Sequence, residues 1–118
     1  MENSKIDLNK EFSKLNKNSS VKELQEYTKK MLEARGFANQ TLEDVMLLLT
    51  EELGEVAKEV RKIEHKIKMD VAKSNEQNLA NEISDVYILL MSLCVIGNID
   101  LFEAFKEKEK INLKREWK

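Results

Sequence analysis

Two pairs of acidic residues stand out by where they are placed. Glu52 and Glu55 lie inside the apolar stretch Leu47 to Ala57, and Glu82 and Asp85 lie inside a second, Asn81 to Leu90. Each pair is three residues apart, so on a helix its side chains share a face, with Cβ atoms about 5–6 Å apart. If both segments are helices that pack together, four carboxylates converge. Carboxylates gathered in apolar surroundings repel one another and lose hydration unless a cation lies between them. Hard divalent cations are the partners that prefer oxygen ligands. No histidine accompanies either pair, since the single His65 is out of register with both. That removes the Glu-x-x-His pattern of di-iron bundles. All-oxygen ligation favours Mg²⁺ or Mn²⁺ over iron or zinc. Mg²⁺ on carboxylates, with positions open to water and phosphate oxygens, suits phosphoryl chemistry.

Other residues could serve the same chemistry. Lys108, Asn112 and Arg115 follow at i, i+4 and i+7 and form one stripe of a helix, complementary to a polyphosphate. Phe37 falls in a connection after Gly36, where it could cover a bundle end or a ligand. Three glycines and no proline leave no Walker or Rossmann phosphate loop, so any phosphate chemistry must use metal and side chains. His65, in the charged run Arg61 to Lys66, reads as a surface residue and supports no Ser-His-Asp or Cys-His system.

The elements that must position these groups are helical. Ser20 with Glu23 forms a capping box opening a helix that carries Val21, Leu24, Tyr27, Met31 and Ala34, with Gly36 as terminator. Thr41 caps a second helix with a seam of Leu42, Val45, Leu49, Leu53, Val56, Val60, Ile63 and Ile67, running to about Lys68. On that helix Glu52 lies roughly 60° from the line through Leu49, Glu55 roughly 120° and Glu51 roughly 160°. Gly54 in mid-helix leaves room for a close neighbour. Residues 70–77 read as a loop, with Asn75 as the next cap. The third helix has a seam of Leu79, Ile83, Val86, Leu90 and Leu93, with Glu82 and Asp85 on one edge. Beyond Asp85 it is apolar nearly all round, which predicts a subunit interface as well as a core. Gly97 ends it, and Asp100 with Glu103 opens the last helix. The expectation is an all-α fold, a four-helix bundle. Residues 1–19 read as a polar N-terminal extension, either a short packed helix or loose chain, and residues 20–118 as the helical domain.

The bulk properties set limits. A chain of 118 residues makes one small domain. Charged residues are 36% of it, yet the net charge is −2, so nothing marks a nucleic-acid polymer as partner. Cys94 is the single cysteine, so no internal disulfide exists. The amino terminus lacks a signal-peptide core, and the run Val86 to Ile96 is too short to span a bilayer. A cytoplasmic protein with no membrane partner is expected.

Glu51-Glu52-x-x-Glu55, a gap of 26 residues, then Glu82-x-x-Asp85 resembles the signature of the MazG-like all-α nucleoside triphosphate pyrophosphohydrolases. Asn98-Ile99-Asp100-Leu101 and Lys108-x-x-x-Asn112-x-x-Arg115 resemble that family's carboxy-terminal pattern, and the likeness covers about residues 20–117. The resemblance implies a Mg²⁺-dependent enzyme that cleaves a ribo- or deoxynucleoside triphosphate to the monophosphate and pyrophosphate, built as a homodimer or homotetramer of helical bundles. It implies that Glu52, Glu55, Glu82 and Asp85 are metal ligands. Glu51, Glu52 and Glu55 would be catalytic, Glu51 as base or supporting group. Lys108, Asn112 and Arg115 would hold phosphates, of the same chain's site or of a neighbouring subunit's. Apart from the resemblance, Tyr27, Phe37, Tyr87 and Trp117 are the aromatics able to stack on a base, and Phe37, on its loop, is the first choice.

Two other readings fit the same residues. One is a metal-dependent hydrolase of another phosphorylated nucleotide, such as a phosphoribosyl compound. The other is a non-enzymatic helical interaction module whose acids merely pair with its lysines.

Overall fold

A computed structural model describes residues 5–64 and 78–118. Five helices are present among them, and no strand: α1 Leu8–Ser13, α2 Val21–Ala34, α3 Leu42–Glu64, α4 Leu79–Ile96 and α5 Leu101–Leu113. The expected end of α3 near Lys68, the loop 70–77, the Asn75 cap and His65 all lie outside the described residues.

Local chemistry sets the helix ends. Ser20 Oγ accepts from Glu23 N at 3.0 Å while Ser20 N donates to Glu23 Oε1 at 2.9 Å, and two orphan donors are satisfied at once. Thr41 and Asp44 make the same reciprocal pair at the start of α3. Asn78 caps α4 by accepting from Asn81 N, and Asp100 caps α5 by accepting from Glu103 N. α2 closes with Phe37 N donating to Leu32 O at 2.7 Å across Gly36, whose φ of 78° suits glycine. At the end of α4 the residue in the left-handed region is Asn98, φ 57°, one position beyond the glycine the sequence pointed to.

α4 is the central helix. It packs along α3 on one side and α2 on the other. A Cβ placed on Gly97 would stand 3.4 Å from Leu42 Cδ2, so the end of α4 meets the start of α3 and the two run antiparallel. The compact core is small: Met31, Leu32, Val45, Leu49, Met91 and Cys94, with Thr28 and Ser92 buried among them. Thr28 and Ser92 direct their hydroxyls to carbonyls four residues back, Leu24 and Ile88, which satisfies them without leaving the helix. α1 docks on α2 through the Phe12 and Tyr27 rings, 6.2 Å apart, and through Lys30 Nζ to Glu11 at 2.9 Å.

The buried lines differ from the expected seams. On α3 the packed line runs through Val45, Leu49 and Glu59, with Glu52 and Val56 half-buried, while Leu42, Leu53, Val60 and Ile63 are exposed. On α4, Glu82 is buried and Ile83 and Leu90 are exposed. The acidic edges of both helices therefore face each other, and much of the apolar stripe expected to pack inside one chain lies open. Among the described residues, nothing outside the backbone of α3 itself lies within 4 Å of a Cβ built on Gly54.

Candidate metal centre

The antiparallel pairing of α3 and α4 brings the two acidic segments to the same level. One carboxylate oxygen each of Glu52, Glu82 and Asp85 lies within 4.8 Å of the others. Glu82 is only 3% exposed, Glu52 is half-buried and Asp85 is exposed, so the cluster is open to solvent on the Asp85 side. Burial pushes the Glu52 carboxyl above its ordinary range, followed by the Asp85 charge and then by the hydrogen bond and charge of Glu82; Glu55 adds a smaller repulsion. Glu55, half-buried, is thus an electrostatic neighbour of the triad, not a member of the close group. Glu51 is exposed on another side of α3.

Among the described residues no lysine or arginine forms an ion pair with Glu52, Glu82 or Asp85. A nearly buried carboxylate with two acidic neighbours and no cation is electrostatically incomplete. Three oxygen donors, from side chains facing one another across two helices, could hold a hard divalent ion with positions left for other oxygen ligands.

Glu59 went unread in the sequence. It is 3% exposed and accepts a 2.7 Å ion pair from Lys62 Nζ. The series Glu52, Glu55, Glu59, Lys62, spaced three, four and three, marks one helix face and was the available signal.

The remaining sequence candidates lie elsewhere. Lys108, Asn112 and Arg115 sit on and just after α5. That helix buries none of its residues and finds its main packing partner in α2, not in the acid-bearing helices. Lys108 and Arg115 are exposed and make no ion pair among the described residues. Asn112 is half-buried; its amide donates to Glu109, its side-chain oxygen has no partner among the described residues, and its carbonyl accepts from Trp117 Nε1 at 3.2 Å. Phe37 is 46% exposed in the α2–α3 connection. Glu52 is ten residues past the start of α3, about 15 Å along its axis. The fold thus brings three of the four metal-ligand candidates, Glu52, Glu82 and Asp85, into one group, leaves Glu55 beside it, and places the phosphate and base candidates on other elements of the chain.

An acidic cluster across two antiparallel helices gives the all-helical fold a candidate site for a divalent cation. Residues 40–116 match the model of the MazG nucleotide pyrophosphohydrolase domain, and the chain belongs to that family. The match takes in α3, α4 and α5 and leaves α1 and α2 outside. By class the protein is a nucleotide pyrophosphohydrolase. Comparison with curated proteins and with solved structures finds no significant match.

Proposed function

We propose that this chain is a Mg²⁺-dependent nucleoside triphosphate pyrophosphohydrolase that releases the nucleoside monophosphate and pyrophosphate and clears nucleotides in the cytoplasm, with Mn²⁺ able to replace Mg²⁺. The observation that carries the reading is the buried Glu82 carboxylate, within 4.8 Å of Glu52 and Asp85 and lacking a protein cation among the described residues. Glu52, Glu82 and Asp85 would hold the ion, with Glu55 as the fourth candidate ligand. A divalent cation there offsets phosphate charge and makes bound water more acidic. The Glu55 oxygen not bound to the ion would accept a proton from the water that attacks phosphorus, with Glu51 as a supporting group.

Lys108, Asn112 and Arg115 bind the phosphate chain. Since α5 packs on α2, the stripe serves the acid cluster of a second copy of the chain. The apolar side chains left open fit the same arrangement. Met46, Leu53 and Val60 on α3 are 47%, 50% and 39% exposed, and Ile83 on α4 is 51% exposed. α4 is long and apolar enough to cross a membrane, with a mean hydropathy of 1.7. It is nonetheless packed between two helices and carries Glu82 and Asp85, so a second copy covering its open side is the better use of that surface. Phe37, at the bundle end, is the stacking partner for the base.

The test is a panel of ribo- and deoxynucleoside triphosphates with Mg²⁺, products resolved by chromatography. Monophosphate with pyrophosphate is expected. Diphosphate with phosphate, or no turnover of any triphosphate, would overturn the reading.

A further inference from the structure

α5 has little to hold it. None of its residues is buried, and Phe102, Phe105 and Leu113 are 45%, 63% and 77% exposed. Its direction is set at its first turn. Gln25, half-buried on α2, donates from Nε2 to Ile99 O at 2.5 Å and accepts at Oε1 from Leu101 N at 3.0 Å. One side-chain amide thus meets a carbonyl and an amide on either side of Asp100, and the Leu101 N–H is one of the donors that a helix start leaves without an internal partner. Among the described residues these are the only side-chain hydrogen bonds that join α5 or its leading turn to another helix. The turn itself is firm: Asn98 is left-handed, Ile99 N donates to Cys94 O at 2.8 Å, and Asp100 caps Glu103 N. A firm turn pinned at one point acts as a lever. Asn112 lies eleven residues beyond Leu101, about 16 Å along the axis, so a tilt of about 10° at the pinned end moves it by about 3 Å. Displacement on that scale breaks a hydrogen bond to phosphate, and smaller misplacements already reduce rates severely.

We propose that Gln25, on a helix outside the family match, is a positioning residue whose paired hydrogen bonds to Ile99 and Leu101 fix the direction of α5 and so place Lys108, Asn112 and Arg115 against the triphosphate. The inference rests on the phosphate-binding role given to that stripe above.

The test compares Gln25→Leu, Arg115→Ala and the double variant in steady-state kinetics with the best triphosphate of the panel, alongside Mn²⁺ affinity. Gln25→Leu is expected to raise KM about tenfold while kcat and Mn²⁺ affinity stay within about twofold of the parent. The double variant is expected to raise KM by less than the product of the two single effects, because residues acting through one contact do not add. If Arg115→Ala leaves KM unchanged, the phosphate role of the stripe fails, and this proposal with it. If Arg115→Ala raises KM and Gln25→Leu does not, or if the two effects multiply, only the positioning role of Gln25 is overturned. Should Gln25→Leu fail to fold, Gln25→Glu, which keeps the acceptor for Leu101 N and loses the donor to Ile99 O, is judged by the same KM criterion.

Discussion

Glu52 of α3 and Glu82 of α4 bring carboxylate oxygens within 4.8 Å of each other across the helix pair, with Glu82 almost wholly buried. Two negative carboxylates this close repel each other unless a proton or a cation offsets the charge. Burial and the acidic neighbours raise the Glu52 carboxyl above its ordinary value of 4.5. The folded chain then binds that proton more tightly than the unfolded chain. The stability of the metal-free protein is therefore expected to fall as pH rises from about 4.5 through the raised value, with the loss complete above it. Thermal melts between pH 4 and 8 in chelator check the slope. Glu52→Gln removes the repelling charge, so it is expected to flatten that slope and raise the melting temperature at neutral pH without metal.

Divalent cation should reverse the loss. An ion bound only by the folded state stabilises by about 2.7 kcal/mol at a hundredfold excess over its dissociation constant. Mg²⁺ is expected to raise the melting temperature of the parent chain and to leave Glu82→Gln and Asp85→Asn unmoved. Each of those variants, and Glu55→Gln, is expected to lose turnover by roughly a hundredfold or more, the range for one electrostatic stabiliser, with helicity by circular dichroism retained. Full activity in any of them removes that residue from the site.

The open stripe of α3 separates two kinds of leucine. Leu49 is 7% exposed inside the chain, and Leu49→Ala is expected to destabilise by about 3 kcal/mol in denaturant titration. Leu53 is 50% exposed. Leu53→Asp is expected to leave helicity intact, shift the sedimentation profile to monomer and abolish turnover, because the acid cluster then loses the α5 stripe of the second copy. An active monomer would show that one chain suffices.

Much of this was readable in the residues. Ser20, Thr41 and Asp100 fix helix starts through bonds to residues three positions on, so their caps depend on local sequence alone. The convergence of Glu52, Glu82 and Asp85 was legible for a related reason, since their spacing puts them on helix faces beside apolar residues that pair the two helices, although Glu82 is buried and Asp85 stays exposed. The buried lines were less legible. Periodicity places Leu42, Leu53 and Val60 on one side of α3 but does not say whether a helix of the same chain or of another covers it. The packing of α4 chose the acidic edge for the interior, and Glu59, further along α3, is buried in an ion pair with Lys62. Gln25 could not have been found from sequence, because both its partners are backbone atoms more than seventy residues away.

The most direct test of the acid cluster as a metal centre is Mn²⁺ binding, read by electron paramagnetic resonance, in the parent chain and in Glu82→Gln. The parent is expected to remove the free-Mn²⁺ signal as protein is added and to release it to excess Mg²⁺, while Glu82→Gln leaves the signal in place. No binding by the parent, or equal binding by both, would contradict the assignment of Glu52, Glu82 and Asp85 as the ligands.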